Sequence, residues 1–366
     1  MQQINSVEVR TNPSLALVKY WGKQEQGRNI PATSSIAVSL AGLETTTILS
    51  RGGYDDTVIL DGIAQSPARF KTFFDEARHL YGHELHFQAE SGNNFPSAAG
   101  LASSSSGFAA LALGCAALGS DRGPPPWTGG HPDKTEALEF SGAQLQQISS
   151  LARLGSASAA RAVYGGWTLL PAGAEAAVPL YTSDFWPEFR ILVVVLSVHK
   201  KDTSSRSAME QTRLSSPFYA AWVRDAAKLS QEAGRALAER DLQKLGELAR
   251  LSYCRMHASA LAADPPVLYW LPESLVVQQQ CAALRARGIG AWETMDAGPQ
   301  VKILCDSREI DLIRQTIAEV LPQAGLLEAA VAGAPQACSS GSVLAAAAPT
   351  EPVSPGKAAT LAESEK

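Results

Sequence analysis

Asn94-Phe95-Pro96-Ser97-Ala98-Ala99-Gly100-Leu101-Ala102-Ser103-Ser104-Ser105-Ser106-Gly107 is the stretch on which the reading of this chain turns. A strand-like run precedes it, and Ser103 to Leu118 reads as a helix of small residues packed tightly against a neighbour. Gly100 and the small residues around it let backbone approach a ligand closely. Free N–H groups and the helix dipole at such a start favour an anion. The serine hydroxyls add donors for phosphate oxygens or a metal-bound water. Alone, the same run also reads as a serine-rich cap on a buried helix.

Upstream, short strand-like runs such as Val58-Ile59-Leu60 and Leu85-His86-Phe87 are punctuated by Gly52-Gly53 and Asp61-Gly62. Pro67 to Tyr81 reads as a helix, with Pro at its start and Phe70, Phe73, Phe74, Ala77 and Leu80 at helical spacing. Downstream, residues 119–133, with Pro124-Pro125-Pro126 and Gly129-Gly130, read as a surface loop. A helix is expected over 134–154, and the β-rich run Phe189 to Val198 opens a second half. Helices are expected over 216–238, 241–262, 274–287 (ended by Gly288) and 308–321. Strands near 290–295 and 300–305 flank the turn Asp296-Ala297-Gly298-Pro299. The order suggests an α+β protein with domains at 1–188 and 189–330. From Gly333 on, Ala, Ser, Pro and Gly dominate, and 331–366 is expected to be a disordered tail. No internal repeat is visible.

The 366 residues are 45% hydrophobic, an ordinary globular composition able to bury a large core. A net charge of −5 argues against nucleic acid as the main partner, yet a local basic pocket would still serve a phosphorylated small molecule. The five cysteines, Cys115, Cys254, Cys281, Cys305 and Cys338, are scattered, with no CxxC pair, so reduced thiols are expected. Met1-Gln2-Gln3-Ile4-Asn5 lacks a signal-peptide pattern, and Ile191 to Val198 falls far short of a membrane span of ~20 residues. The expected location is the cytoplasm.

Four other segments carry candidate chemistry. In Leu17-Val18-Lys19-Tyr20-Trp21-Gly22-Lys23, a strand would put positions 19, 21 and 23 on one face, with both amines suited to one anion; a solvated edge strand is the plain alternative. Gly155-Ser156-Ala157-Ser158-Ala159-Ala160-Arg161 places an arginine after small residues, able to grip a carboxylate or phosphate with two parallel bonds, or simply to sit on the surface. Asp296 in Met295-Asp296-Ala297-Gly298-Pro299 sits at a turn, where aspartates often bond their own backbone. Lys200-Lys201-Asp202-Thr203-Ser204-Ser205-Arg206 offers cations and hydroxyls in one loop, or a solvated charge run.

Taken in this order, the segments resemble the diphosphomevalonate decarboxylase family of the GHMP kinase superfamily. Pro96 to Ser104 matches the superfamily's P-x-x-x-G-L-x-S-S, while KYWGK, G-S-x-S-x-x-R ending at Arg161 and D-A-G-P at Asp296 are much narrower. The resemblance covers about residues 5–325. It implies an N-terminal α/β domain with the phosphate loop, a C-terminal ferredoxin-like domain and an active site in the cleft between them. It also implies ATP, Mg²⁺, a phosphorylated mevalonate substrate and a homodimer. The family phosphorylates the 3-hydroxyl, then loses phosphate and CO₂ to give isopentenyl diphosphate.

By residue, the resemblance makes Asp296 the catalytic carboxylate, Lys19 the lysine beside it and Arg161 the arginine that holds the substrate carboxylate. Tyr20, Trp21, Gly22, Lys23, Ser156, Ala157, Ser158 and Arg206 match substrate-side positions, with Arg69 a further match. Pro96, Gly100, Leu101, Ala102, Ser103, Ser104, Ser105 and Ser106 match the nucleotide loop, Ser205 a nearby nucleotide-side hydroxyl and Ser105 the metal-side hydroxyl. Departures are Thr33 in place of Asn, Ala157 and Ala160 in place of Gly and a small polar residue, and the apparent insertion at 119–133. Relatives acting on the 5-monophosphate, and kinases of the superfamily that do not decarboxylate, are the competing activities. A non-catalytic binding protein of the fold would be expected to lack Asp296, Lys19 or Arg161, and all are present.

Overall fold

The computed structural model describes residues 6–24, 28–82, 86–95, 103–119, 136–137, 140–197 and 203–339. Its described helices are α1 (Lys71–Tyr81), α2 (Ser103–Leu118), α3 (Gly142–Gly155), α4 (Ala159–Ala162), α5 (Ser205–Ser215), α6 (Tyr219–Ala238), α7 (Leu242–Leu261), α8 (Pro272–Ala286) and α9 (Ile310–Val320). None is long and apolar enough to cross a membrane.

Strand Ser6–Thr11 alternates buried and half-buried residues, as a strand with one face on a core must. It sits in a seven-stranded sheet whose other main strands are Thr45–Arg51, Phe87–Asn93 and Thr57–Leu60. Val7, Val9, Leu49, Phe87 and Ala89 pack on Phe70, Phe73 and Phe74 and on α2. Helix α2 is buried almost all round, which explains its run of Ala, Gly and Ser: only small side chains let it lie between the sheet and α3. At Gly114 an added Cβ would come within 2.9 Å of Leu49.

A second, four-stranded sheet joins Ser14–Ala16, Ser35–Ser39, Trp167–Leu170 and Val178–Tyr181. The third sheet is wholly antiparallel, in the order Trp292–Met295, Val301–Asp306, Phe189–Val195, Gly325–Ala329. Numbered along the chain from Phe189, that order is 2-3-1-4, with helices after the first and third strands: the ferredoxin-like arrangement. One core joins the two halves. Leu15, Ile36 and Trp167 of the second sheet meet Ile191 and Val193 of the third, with Leu229 of α6 and Leu245 of α7.

Several boundaries differ from the sequence reading. The helix expected over 134–154 starts only at Gly142, because Ser141 and Gln144 form a reciprocal capping box there, and Glu136–Ala137 is a strand. Helix α5 was not foreseen; Ser204 caps it by accepting a hydrogen bond from Ser207 N. The expected tail begins too early. Strand Gln336–Ser339 pairs with Ser6–Thr11 on one side and Glu136–Ala137 on the other, and Ala337 is fully buried. A poor composition still suffices there, since backbone pairing needs no large side chain. The loop expected at 119–133 lies almost wholly outside the described residues, apart from Gly119.

Candidate active site

The segment 17–22 is not a strand. Leu17 N and Val18 N both donate to Ile36 O, Trp21 N donates to Thr33 Oγ1, and the chain turns at Gly22 with φ +108°. Only glycine suits this position: a Cβ would lie 2.1 Å from Tyr219 Oη. The irregular path sends the two amines to different places, so they do not share one anion as a strand would have had them do. Lys19 is buried and Lys23 is half-buried beside Arg206.

Lys19 Nζ donates to Asp296 Oδ1 at 2.8 Å and to Ala16 O at 2.6 Å, while its backbone N–H donates to Ser252 Oγ. The other carboxylate oxygen, Oδ2, lies 3.2 Å from Lys302 Nζ. Both lysines are almost wholly buried, whereas the Asp296 side chain keeps 24% exposure, an open edge on the cleft. Burial alone would raise the Asp296 pKa, but Lys19 and Lys302 more than offset it and hold the carboxyl below the usual carboxylate range. Burial pulls Lys19 down to about 8, with Asp296 opposing. The turn aspartate is therefore not bonding its own backbone in the bland manner of loops.

Arg161, buried on α4, donates through Nε to Ser14 Oγ at 3.3 Å and through Nη1 to Ser35 Oγ. Burial lowers its pKa to about 10, and the Asp296 carboxylate is the main charge opposing that. From α7, buried His257 bonds the Asp296 backbone; burial, then Lys19, hold it at about 3, so its ring is neutral.

A second group of cations, Arg206, Lys23 and Arg69, is linked to Arg161 through Tyr20, which is influenced by both Arg161 and Arg206. Arg206 Nη2 donates to Gly155 O at 3.1 Å, and Arg206 lowers the pKa of both Lys23 and Arg69, after burial as the first cause. Lys23 is brought to about 8. Arg69 lies over the rings of Phe70 and Phe108, 5.5 and 6.0 Å from their centroids. Among the described residues, Tyr20 Oη, Tyr219 Oη and Trp21 Nε1 are buried without a hydrogen-bond partner. Such orphaned donors beside cations are what an anionic ligand would satisfy.

The hydroxyls bridge this group to helix α2. Ser156 Oγ is 3.0 Å from Ser158 Oγ and 3.4 Å from Ser104 Oγ. Ala157 is buried between the two serines. Ser103 and Ser104 form the start of α2, with Ser104 exposed. Ser105 and Ser106 turn inward: Ser105 Oγ donates to Ser158 O, and Ser106 Oγ lies 2.5 Å from Thr45 Oγ1. The metal-side hydroxyl expected at Ser105 is thus committed to α4, and Ser104 is the accessible one. Ser205 opens α5 beside Arg206. Pro96, Gly100, Leu101, Ala102 and the lysines of the 200–202 run lie outside the described residues.

The chain as a whole resembles known proteins. Residues 11–178 match the model of the diphosphomevalonate decarboxylase-like N-terminal domain, and 191–360 that of the mevalonate 5-diphosphate decarboxylase C-terminal domain. The chain belongs to the diphosphomevalonate decarboxylase family. The diphosphomevalonate decarboxylase of Schizosaccharomyces pombe is 31% identical over 342 residues, covering 85% of this chain and 81% of that one. That of Candida albicans is 30% identical over 334 residues, 84% of this chain and 86% of the other. Among solved structures, MDDEF in complex with MVAPP, AMPPCP and magnesium superposes with TM-score 0.80 at 31% identity, over 92% of this chain and 99% of that one. The mevalonate diphosphate decarboxylase of Staphylococcus aureus gives TM-score 0.79 at 31% identity, over 91% and 98%.

Within this diphosphomevalonate decarboxylase family member, the motif reading found Asp296, Lys19 and Arg161 but missed Lys302, His257, Ser14 and Ser35. Lys302 did leave a signal: a lysine inside Val301-Lys302-Ile303-Leu304 is odd in a core strand. Ser14, Ser35 and His257 left none, because serines in strands and a histidine on a helix are commonplace.

Proposed function

We propose that the protein is an ATP-dependent decarboxylase acting on mevalonate 5-diphosphate, releasing ADP, phosphate, CO₂ and isopentenyl diphosphate. The observation that carries this reading is Asp296, held by Lys19 beside Arg161, with cations on one side and the start of α2 on the other. A substrate bearing a diphosphate, a carboxylate and a tertiary hydroxyl between them matches that sequence of groups.

In this reading Arg206, Lys23, Arg69, Tyr20, Ser156 and Ser158 take the diphosphate, and Arg161 takes the carboxylate. Asp296 accepts the hydrogen bond of the 3-hydroxyl. Its depressed pKa makes it an orienting group more than a strong base, and a loose phosphoryl transfer needs little base. Its fixed geometry brings the hydroxyl into line. When bound, ATP supplies the phosphoryl group and Mg²⁺ neutralises its phosphates. Ser103 and Ser104 fit that role as accessible hydroxyls at a helix start; Mg²⁺ commonly takes few protein ligands and completes its shell with phosphate and water. After phosphate departure, positive charge grows on the tertiary carbon while Arg161 keeps the carboxylate aligned for loss of CO₂.

Domain division at residue 188, a cytoplasmic location and a homodimer complete the proposal. The third sheet opening at Phe189 is in keeping with the first; cell fractionation reads the second and light scattering the third. The test of function is a Mg-ATP assay that follows ADP and CO₂ separately with mevalonate, its 5-phosphate and its 5-diphosphate. Equal ADP and CO₂ from the diphosphate supports the reading. The same from the monophosphate alone moves the activity to that substrate, and ADP without CO₂ makes the protein a kinase.

A further inference from the structure

We infer that Lys302 is a positioning residue for the reaction, clamping the second oxygen of Asp296 so that the carboxylate meets the substrate hydroxyl in one orientation. This rests on the decarboxylase reading of the site. Lys302 lies in the middle strand pair of the ferredoxin-like sheet, opposite Val193 and Thr294, with Val301 and Ile303 in the core on either side. It is 2% exposed, so it has no route to a ligand of its own. Its Nζ instead lies 3.2 Å from Asp296 Oδ2 while Lys19 occupies Oδ1 at 2.8 Å.

A buried lysine is costly unless its charge is used. One lysine could neutralise one carboxylate. A second, on the opposite oxygen, blocks rotation of the carboxylate about its Cβ–Cγ bond and leaves only the cleft-facing edge free. Among the described residues it also leaves the cluster with more cations than anions: Lys19, Lys302 and Arg161 face Asp296. That surplus suits an incoming carboxylate. Asp296 is faced by Lys19 from the 17–23 segment, Lys302 from its own sheet, Arg161 from α4 and His257 from α7. His257 is held neutral, so near neutral pH the lysines and the arginine set the charge state of the carboxylate.

The test compares kcat and the KM values for the phosphorylated substrate and for ATP in the full-length enzyme and in Lys302→Met, Lys302→Gln and Lys302→Arg, with folding checked by circular dichroism. The Met and Gln variants leave Lys19 on Oδ1 but free the other oxygen, so kcat should fall about tenfold or more while both KM values stay within about twofold. Lys302→Arg keeps a cation beside Oδ2 and should hold kcat within about threefold of the original enzyme. A folded Met or Gln variant with kcat within about twofold of the original overturns the inference, and so does a loss of kcat that Lys302→Arg does not rescue. If neither neutral variant folds, Lys302→Arg decides: kcat within about threefold upholds the clamp, and a tenfold loss in the folded variant overturns it. Failure of the wild-type enzyme to release ADP and CO₂ from any of the three substrates would instead sink the decarboxylase reading.

Discussion

Asp296 and Lys19 answer to each other at opposite ends of the pH scale. Asp296→Asn keeps the shape of the carboxylate and removes its charge, leaving Lys19 and Lys302 buried without their partner. Turnover should fall by at least about a thousandfold, while nucleotide binding, followed by titration calorimetry, stays within about threefold. Lys19 sets the alkaline side. Its pKa of about 8 means that the ion pair with Asp296 is complete below that pH and is lost above it, as the amine gives up its proton. In kcat at saturating substrate, where the bound diphosphate keeps Lys23 protonated, the rate should therefore fall above about pH 8, by about one decade per unit. Lys19→Arg should carry that limb well upward, because a guanidinium does not titrate in the range. A profile still flat at pH 9.5 in the wild-type enzyme would remove Lys19 from this role. The sequence motifs located both residues, since a lysine and an aspartate in such narrow patterns have few other readings. They did not reveal that the carboxylate has a second lysine: the oddity of Lys302 in an apolar strand marks a buried charge, but only the fold shows that its partner is Asp296.

Among the elements, the joint between α2, α3 and α4 is the tightest near the site. Gly155 ends α3 where a Cβ would fall 2.0 Å from the Phe108 ring on α2. Gly155 O also receives Arg206, and Ser156 and Ser158 follow at once. Gly155→Ala should therefore force α2 and α3 apart, at a cost of about 1–3 kcal/mol. Urea unfolding would measure this as a lower midpoint at unchanged slope, and the KM for the diphosphate substrate should rise with it. If the midpoint is unchanged, the contact is looser than the geometry shows. Helix α2 was legible because a run of Ala, Gly and Ser after a glycine loop has few uses besides close packing. Helix α3 starts eight residues later than the expected 134, because Ser141 and Gln144 cap it there. Local capping chemistry outranks periodicity at a terminus.

For the whole molecule, the return of the chain to its own beginning matters most. After the ferredoxin-like sheet, Ala330 O accepts from Ala41 N, Ala332 N donates to Ser39 O, and Ala332 O accepts from Gly166 N. Strand Gln336–Ser339 then enters the first sheet beside Ser6–Thr11. That strand leads directly into Ser14, Ala16 and Lys19, so the late segment braces the one that carries Lys19. A chain ended after Ala329 should be less stable than one ended after Ser339 by about 2–4 kcal/mol, judged from the lost cross-strand pairs. Differential scanning calorimetry of the two lengths gives the answer; equal melting temperatures would mean that the brace adds nothing.

The amino-acid sequence by itself determined the mixed α/β class, the long helices of the second half, the small-residue helix α2, and Asp296 with two of the charged groups around it, Lys19 and Arg161. Each of these is written in local patterns: periodicity, small-residue runs and short motifs. Only the tertiary structure decided that Lys19 and Lys23 part company, that Lys302 and His257 reach Asp296, that Ser105 turns inward and that residues 336–339 complete the first sheet. Those facts depend on contacts between residues far apart in the chain. Whether a buried charge is paired, or a bland strand is wanted, is settled by what the fold lays against it.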